Sequence, residues 1–384
     1  MPVRIAIIFD SVTPYRLVLH RRIAREFPEV DLYSLFTHNT SNAPWKLKVD
    51  PELKPVYFGR GHDGAGRPLL QEWKKGGQMT RWLRDHQIQA VVLGGYNDTG
   101  RLRILAWTGA NRIPCFIFGD SNSRADVVRG WKRWLKRVTL PYVLAQASGV
   151  MYCGVRGQEY FSSYGVPSER MFPFPYEADY HQLAGVSATV ANTAKCRLGL
   201  ASTKRILLFS GRLTGVKRPE LLLEAFSRIQ DRRPEWHLVF AGGGPLQAAL
   251  EEEVARRPMS RVHFTGFIND PSVLASFYAA SDVLVLPSSY EPWGVVVTEA
   301  AVHCALVCSD VVGAAADLVQ EDHNGYLFPS GSLDGLVTAL LRATDPANVD
   351  RLKAASPGVL AAWRARTDPI RGLRQALRFS GLLK

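Results

Sequence analysis

Residues 283–299 read VLVLPSSYEPWGVVVTE. The run VLVL is followed by Pro287, Ser288 and Ser289, and a second apolar run opens behind Gly294. A short, wholly apolar run bounded by turn residues reads as a buried strand, and the glycine ahead of the valines marks a helix start. Strand, loop, helix is the repeating unit of an α/β sheet. Glu291 and Glu299 stand eight positions apart in it, one on the loop and one inside the helix. That spacing aims an acid and the opening amides of Gly294, Val295 and Val296 at one pocket, suited to a ligand with both hydroxyls and phosphates. The bare spacing is common; the context Pro-Ser-x-x-Glu-Pro-Trp-Gly is the specific part.

The same alternation extends outward on both sides. Behind residue 200, strands are expected at 205–210, 236–241, 262–265, 283–286 and 305–308, with helices opening near Pro219, Pro245, Pro271 and Gly294. Ahead of it, strands are expected at 3–9, 30–36, 90–94, 113–118 and 150–153, with Thr13-Pro14 as N-cap and first residue of a helix. Residues 178–204 are rich in Ala, Ser and Thr without an apolar period and read as a linker with an irregular segment. A chain of 384 residues exceeds one ordinary core. Two doubly wound, Rossmann-like α/β domains are expected, at 1–180 and 181–360. The tail 361–384 holds Trp363, Leu373, Leu377 and Phe379 among arginines, and a surface-binding helix is one reading of it. In such sheets ligands sit at the carboxyl ends of the strands.

The loops at those ends carry the chemistry. Ser210-Gly-Arg-Leu-Thr-Gly-Val-Lys217 follows a strand. Arg212 offers a fork and Lys217 a point charge to phosphate oxygens, beside the helix opening at Pro219. A solvated basic turn is the plain alternative. Gly242-Gly243-Gly244-Pro245 makes a tight turn into a helix, needed for fold or ligand alike. Residues 312–319 and 324–328 read as a further strand–loop–helix and a turn, with Gly313 able to admit a sugar or phosphate.

As an ordered set over about residues 205–330, Gly211-Arg212, Lys217, Gly243-Gly244-Pro245, Pro287-Ser288, Glu291-x7-Glu299, Gly313 and Asn324-Gly325 resemble the retaining group 1 glycosyltransferases of the GT-B fold (glycosyltransferase family 4). The variant Glu291-Pro292-Trp293-Gly294 with Gly313-Ala314 is similar to members from bacterial surface-polysaccharide pathways. The resemblance implies two Rossmann-like domains facing each other across a cleft, the second binding a nucleoside-diphosphate-sugar and the first a glycan or lipid-linked acceptor. It implies transfer of a hexose-type sugar with retention, and a C-terminal helix within 361–384 that crosses back to the first domain. Arg212 and Lys217 would bind the donor diphosphate, Glu299 the ribose, Glu291 the hydroxyls of the transferred sugar, and Ile268 would lie near the base. No cofactor and no catalytic metal are implied, and the sequence has no Asp-x-Asp motif. It departs from the family in its first loop, Asp10-Ser-Val-Thr-Pro-Tyr15, which lacks glycines. Phe118-Gly119-Asp120-Ser121 stands where many members have a histidine, and Asp317 replaces the usual glutamate. Asp120 is thus a candidate catalytic base on the acceptor side, or a helix-capping acid.

Charge and composition bound the rest. Residues 1–180 hold 25 Lys and Arg against 16 Asp and Glu, so the basic balance sits mostly in the first half. Within it, 124–137 reads RADVVRGWKRWLKR, in which Arg129, Trp131, Lys132, Arg133 and Trp134 mix cations with indoles. An amphipathic helix packed on the sheet and an interfacial helix on an anionic membrane or lipid-linked acceptor are both open. No recognised nucleic-acid module is present. Residues 59–64 fit Gly-x-Gly-x-x-Gly, but no acid ends a following strand, so dinucleotide binding is disfavoured. Five scattered cysteines and dispersed histidines form no metal or disulfide pattern. No apolar run reaches membrane-span length. The scattered cysteines fit a reducing cytoplasm, and the 124–137 stretch leaves a peripheral place at the inner face of the membrane open. The competing functions are a nucleotide-sugar epimerase or phosphorylase, a non-catalytic binding protein and a dehydrogenase.

Overall fold

The strand β1 (Val3–Phe9) is buried along nearly its whole length and takes an interior place in the first sheet. The computed structural model describes residues 2–40, 45, 47, 49–61, 68–124, 128, 130–257 and 259–384. It divides into two units, Met1–Ala178 with Thr367–Lys384, and Asp179–Arg366.

In the first unit β1 is followed by α1 (Pro14–Glu26), β2 (Val30–Phe36), β3 (Pro55–Tyr57), α2 (Leu69–Asp85), β4 (Ala90–Gly94), α3 (Thr99–Ala110), β5 (Cys115–Gly119), α4 (Trp131–Gln146), β6 (Gly149–Tyr152), α5 (Gly154–Ser163) and β7 (Met171–Pro173). The strands form one sheet in the order β3-β2-β1-β4-β5-β6-β7, every neighbouring pair parallel. Ile8, Val91, Leu93, Ile117 and Val150 are buried at its centre against Met79, Leu83 and Ile104 of α2 and α3.

The second unit runs α6 (Tyr180–Ala184), α7 (Ala188–Arg197), β8 (Arg205–Ser210), α8 (Pro219–Ile229), β9 (Trp236–Ala241), α9 (Gln247–Arg256), β10 (Val262–Gly266), α10 (Pro271–Ala280), β11 (Val283–Leu286), α11 (Val295–Ala300), β12 (Ala305–Ser309), α12 (Ala315–Leu318), β13 (Gly325–Phe328), α13 (Leu333–Ala343) and α14 (Val349–Thr367). Its sheet, in the order β10-β9-β8-β11-β12-β13, is also parallel throughout. The chain then returns to the first unit through α15 (Pro369–Phe379), which packs on β7 and α1.

Both sheets reverse their strand order next to the first strand of the unit, between β1 and β4 and between β8 and β11. Loops on either side of such a switch point diverge and leave a crevice at the strands' carboxyl ends.

The structure corrects the sequence reading in several places. Residues 178–204 are not irregular: Asp179 and Ser187 cap two short helices, α6 and α7, which bury little beyond Leu183 and Ala194 and so show no apolar period. The two helices pack against α10. The stretch 325–328 is a strand rather than a turn. β3 and β7 are three-residue strands with a proline each, too short to show alternation. No helix among the described residues is long and apolar enough to cross a membrane.

Candidate functional site

The switch point of the second sheet brings two loops together. After β8, residues 211–218 end in a single 3-10 turn, Gly215–Lys217. After β11, residues 287–294 run back beside it, and the Ser289 N–H donates to the Val216 carbonyl at 2.8 Å. This pairing carries the Lys217 ammonium onto the Glu291 carboxylate, in an ion pair across 74 positions of chain. Glu291 also accepts from the Ser288 hydroxyl at 3.4 Å. Both side chains are mostly buried, Lys217 at 22% and Glu291 at 11% exposure.

The loop that carries Glu291 is braced from the next strand-to-helix connections. The Ser309 hydroxyl donates to the Ser288 carbonyl at 2.6 Å and the Gly313 N–H to the Glu291 carbonyl at 3.2 Å. The Ala314 N–H donates to the Trp293 carbonyl at 2.8 Å. Trp293 is fully buried and stacks on Trp363 of α14 with centroids 5.6 Å apart, while the Trp363 indole N–H donates to Asp317 at 3.2 Å. Gly294 caps α11 at φ +96°, a conformation side chains rarely adopt, and a Cβ there would meet the Glu291 Cγ at 3.2 Å. A side chain at Gly313 would run into the Pro292 carbonyl, so this glycine lets the brace approach.

Glu299 belongs to a separate network. The Tyr278 hydroxyl donates to its carboxylate at 2.7 Å and lies 2.9 Å from the Ser210 hydroxyl at the end of β8. Burial raises the Glu299 carboxyl above its ordinary value, with the Tyr278 hydrogen bond opposing, and burial raises the Tyr278 hydroxyl too, reinforced by the Glu299 charge. Burial likewise raises the Cys308 thiol on β12, with the Glu291 charge adding to it.

Lys217, Glu291, Gly294 and Gly313 are therefore gathered in one place. Arg212 lies on the same loop as Lys217, but its side chain is exposed and has no ion-pair partner among the described residues. Val295 and Val296 are the first two residues of α11, where backbone N–H groups have no intrahelical acceptor. Ile268 is half-buried on the loop after β10, the far edge strand of the sheet.

The first unit repeats the arrangement at its own switch point. Arg101 of α3 is almost fully buried and ion-paired with Asp98 and with Asp10, the residue after β1. The Arg101 Nε donates to the Gly94 carbonyl at 2.5 Å. The Thr37 hydroxyl donates to the Asp10 carbonyl at 3.2 Å. Asp120 follows β5 and accepts from the buried Tyr176 hydroxyl at 3.2 Å. Trp131, Lys132, Arg133 and Trp134 are exposed on α4; Arg129 lies outside the described residues. In the 59–64 stretch, Gly59 follows the edge strand β3 rather than a first strand, and residues 62–64 lie outside the described residues.

Sequence reasoning missed Arg101, Tyr278 and the Trp363–Asp317 pair. Asp98-x-x-Arg101 held a signal, an N-cap acid three residues ahead of a cation in the first turn of a helix. Tyr278 had none, since it sits within the apolar run Phe277–Ala280 and its hydroxyl finds Glu299 only in the folded sheet.

Residues 192–352 match the family described as Glycosyl transferases group 1. The chain is 34% identical over 134 residues to an uncharacterised glycosyltransferase of Methanocaldococcus jannaschii, covering 34% of each. It is 31% identical over 202 residues to the D-inositol 3-phosphate glycosyltransferase of Streptomyces griseus, covering 50% of this chain and 43% of the relative. The chain thus spans less than half of the length of these curated relatives. Among solved structures, Anabaena HepE in complex with UDP and glucose superposes with TM-score 0.75 at 18% identity, covering 99% of this chain and 100% of that one. Sucrose-phosphate synthase from Thermosynechococcus elongatus gives 0.74 at 19%, covering 98% and 99%. At these identities the superpositions speak to the fold, which is that of GT-B glycosyltransferases. Residues 192–352, within the second unit, are thus similar to the group 1 glycosyl transferases.

Proposed function

We propose that this protein is a glycosyltransferase that takes a hexose-type sugar from a nucleoside-diphosphate-sugar held by the second unit and transfers it, with retention, to a glycan or lipid-linked acceptor of a cell-surface polysaccharide or lipopolysaccharide. The observation that carries the reading is the Lys217–Glu291 pair, held at the switch point of a unit that matches the family. Without donor, each charge satisfies the other. A bound donor would exchange that pairing for two stronger sets of contacts. Lys217 turns to the diphosphate with Arg212, and Glu291 accepts from hydroxyls of the sugar. Glu299, oriented by Tyr278, accepts from the ribose hydroxyls. Arg212, Lys217 and the first amides of α11 then face the charge that develops on the leaving diphosphate. Because those cations carry that role, turnover in EDTA is expected to match turnover without it. Asp120, held by Tyr176, is assigned to the acceptor side as the candidate base.

A thermal-shift panel of UDP-, GDP-, ADP- and TDP-sugars tests the donor reading, since a true ligand stabilises the native state by mass action. UDP-glucose leads the panel because HepE has also been solved with it. The stabilising donor is then incubated with and without acceptor. Acceptor-dependent release of the nucleoside diphosphate supports transfer. Conversion of the donor sugar without acceptor would make the protein an epimerase instead, and binding without any product would make it a non-catalytic binder.

A further inference from the structure

α4 turns an apolar face to water. Trp131, Trp134, Leu135, Val138 and Tyr142 follow at intervals of three and four and therefore share one side of the helix. Their exposures run from 43% for Leu135 to 72% for Tyr142, with both indoles near 70% (Trp131 70%, Trp134 67%). The residues α4 buries, Leu140 and Leu144, project from the opposite side. A surface helix ordinarily has one apolar stripe, and it faces the core; this one has a second stripe that the unit leaves uncovered.

The flanking charges indicate what covers it. The sixteen residues of α4 contain no Asp or Glu. Lys132 and Arg137 border the stripe on its two sides by helical position, and Arg133 follows behind. None of the three has an acid partner among the described residues; Lys132 lies over the Trp131 ring at 6.0 Å, and Lys136 over the Tyr160 ring at 5.1 Å. Exposed indoles and a tyrosine suit the headgroup level of a bilayer, and cations beside them that no acid neutralises suit lipid phosphates. A pairing of α4 with the α4 of a second copy would bury these cations with no acid on either helix.

We propose that α4 docks the protein on an anionic phospholipid surface, with Trp131, Trp134 and Tyr142 entering the headgroup region and Lys132 and Arg137 meeting lipid phosphates. The proposal rests on the first unit alone and stands whether or not the donor reading holds.

Vesicle flotation of the full chain tests it, comparing equimolar phosphatidylcholine and phosphatidylglycerol with phosphatidylcholine alone. The protein is expected to float with the anionic vesicles, to stay behind with the neutral ones, and to be released by high salt. Lys132→Gln with Arg137→Gln is expected to weaken partitioning roughly five-fold per charge. Trp131→Ser with Trp134→Ser is expected to abolish it while the thermal midpoint stays in place. No flotation on anionic vesicles, or equal flotation of both double variants, would overturn the proposal. So would a dimer by size-exclusion chromatography that the tryptophan variant dissolves, because the stripe would then belong to a second copy.

Discussion

The Lys217 side chain is twice as exposed as that of Glu291, so removing either one leaves a different orphan. After Lys217→Ala, the mostly buried Glu291 carboxylate loses its ion-pair partner, and about 1–3 kcal/mol of stability should be lost. After Glu291→Ala, the lysine can turn to solvent, and the loss should be smaller. Urea unfolding without donor measures both, and a Glu291→Ala variant that is the less stable one would refute this account of the pair. On the proposed function, both substitutions should lower kcat/KM by roughly 10²–10³-fold. Glu299 behaves in the opposite sense with pH. Its carboxyl is raised above 4.5 by burial, so the folded state holds the proton more tightly than the unfolded chain does. The stability this brings is present below pH 4.5 and is lost as pH rises through the folded value. Glu299→Gln escapes that loss and keeps an acceptor for Tyr278. The variant should therefore gain on the parent protein between acid and neutral pH in urea titrations without ligand, while its donor affinity falls.

Among the elements, the strand-to-helix loops at the two switch points do equivalent work. Each brings a cation and an acid from opposite sides of the reversal, Arg101 with Asp10 in the first unit and Lys217 with Glu291 in the second. The central strands that position these loops were legible because their runs are apolar throughout, as at Val283–Leu286. β3, β7 and β13 were not legible, because three or four residues bearing prolines or a glycine show no alternation, and their strand character comes from a neighbouring edge that waits for a partner. Helix α15 depends on such a contact. A side chain at Gly372 would run into the Pro173 carbonyl at the end of β7, so Gly372→Ala must push the helix off the sheet. The expected cost is about 1–3 kcal/mol, with faster proteolysis near the C-terminus as the readout. An unchanged urea midpoint and cleavage rate would show that the helix does not need this close approach.

At the scale of the whole molecule, each unit buries a histidine that must stay neutral. His20 is sandwiched between Phe9 and Phe36 and hydrogen-bonded to Ser34 at 2.7 Å. Burial, and then the nearby Arg16 charge, lower it from 6.5 to about 3. His237 in the second unit is lowered to about 4, by burial first and then by His263. The unfolded chain takes up these protons below pH 6.5 while the folded chain refuses them, so stability falls as pH falls through that window. The slope should approach about 1.4 kcal/mol per pH unit for His20. His20→Leu should flatten the acid side of the first unit's urea midpoint curve, whatever it does at neutral pH, and an unchanged slope would remove His20 from the account. By itself, the sequence determined the central strands, most of the helices between them and the two-unit plan, because these follow from local periodicity and turn residues. It did not determine that Lys217 and Glu291 meet, since the ion pair depends on β8 and β11 becoming neighbours in the sheet. Nor did it decide whether the tryptophans of α4 face the sheet or the solvent. A helix with apolar residues on two sides fits either orientation, and only the packing of Leu140 and Leu144 against the first unit leaves Trp131 and Trp134 outside.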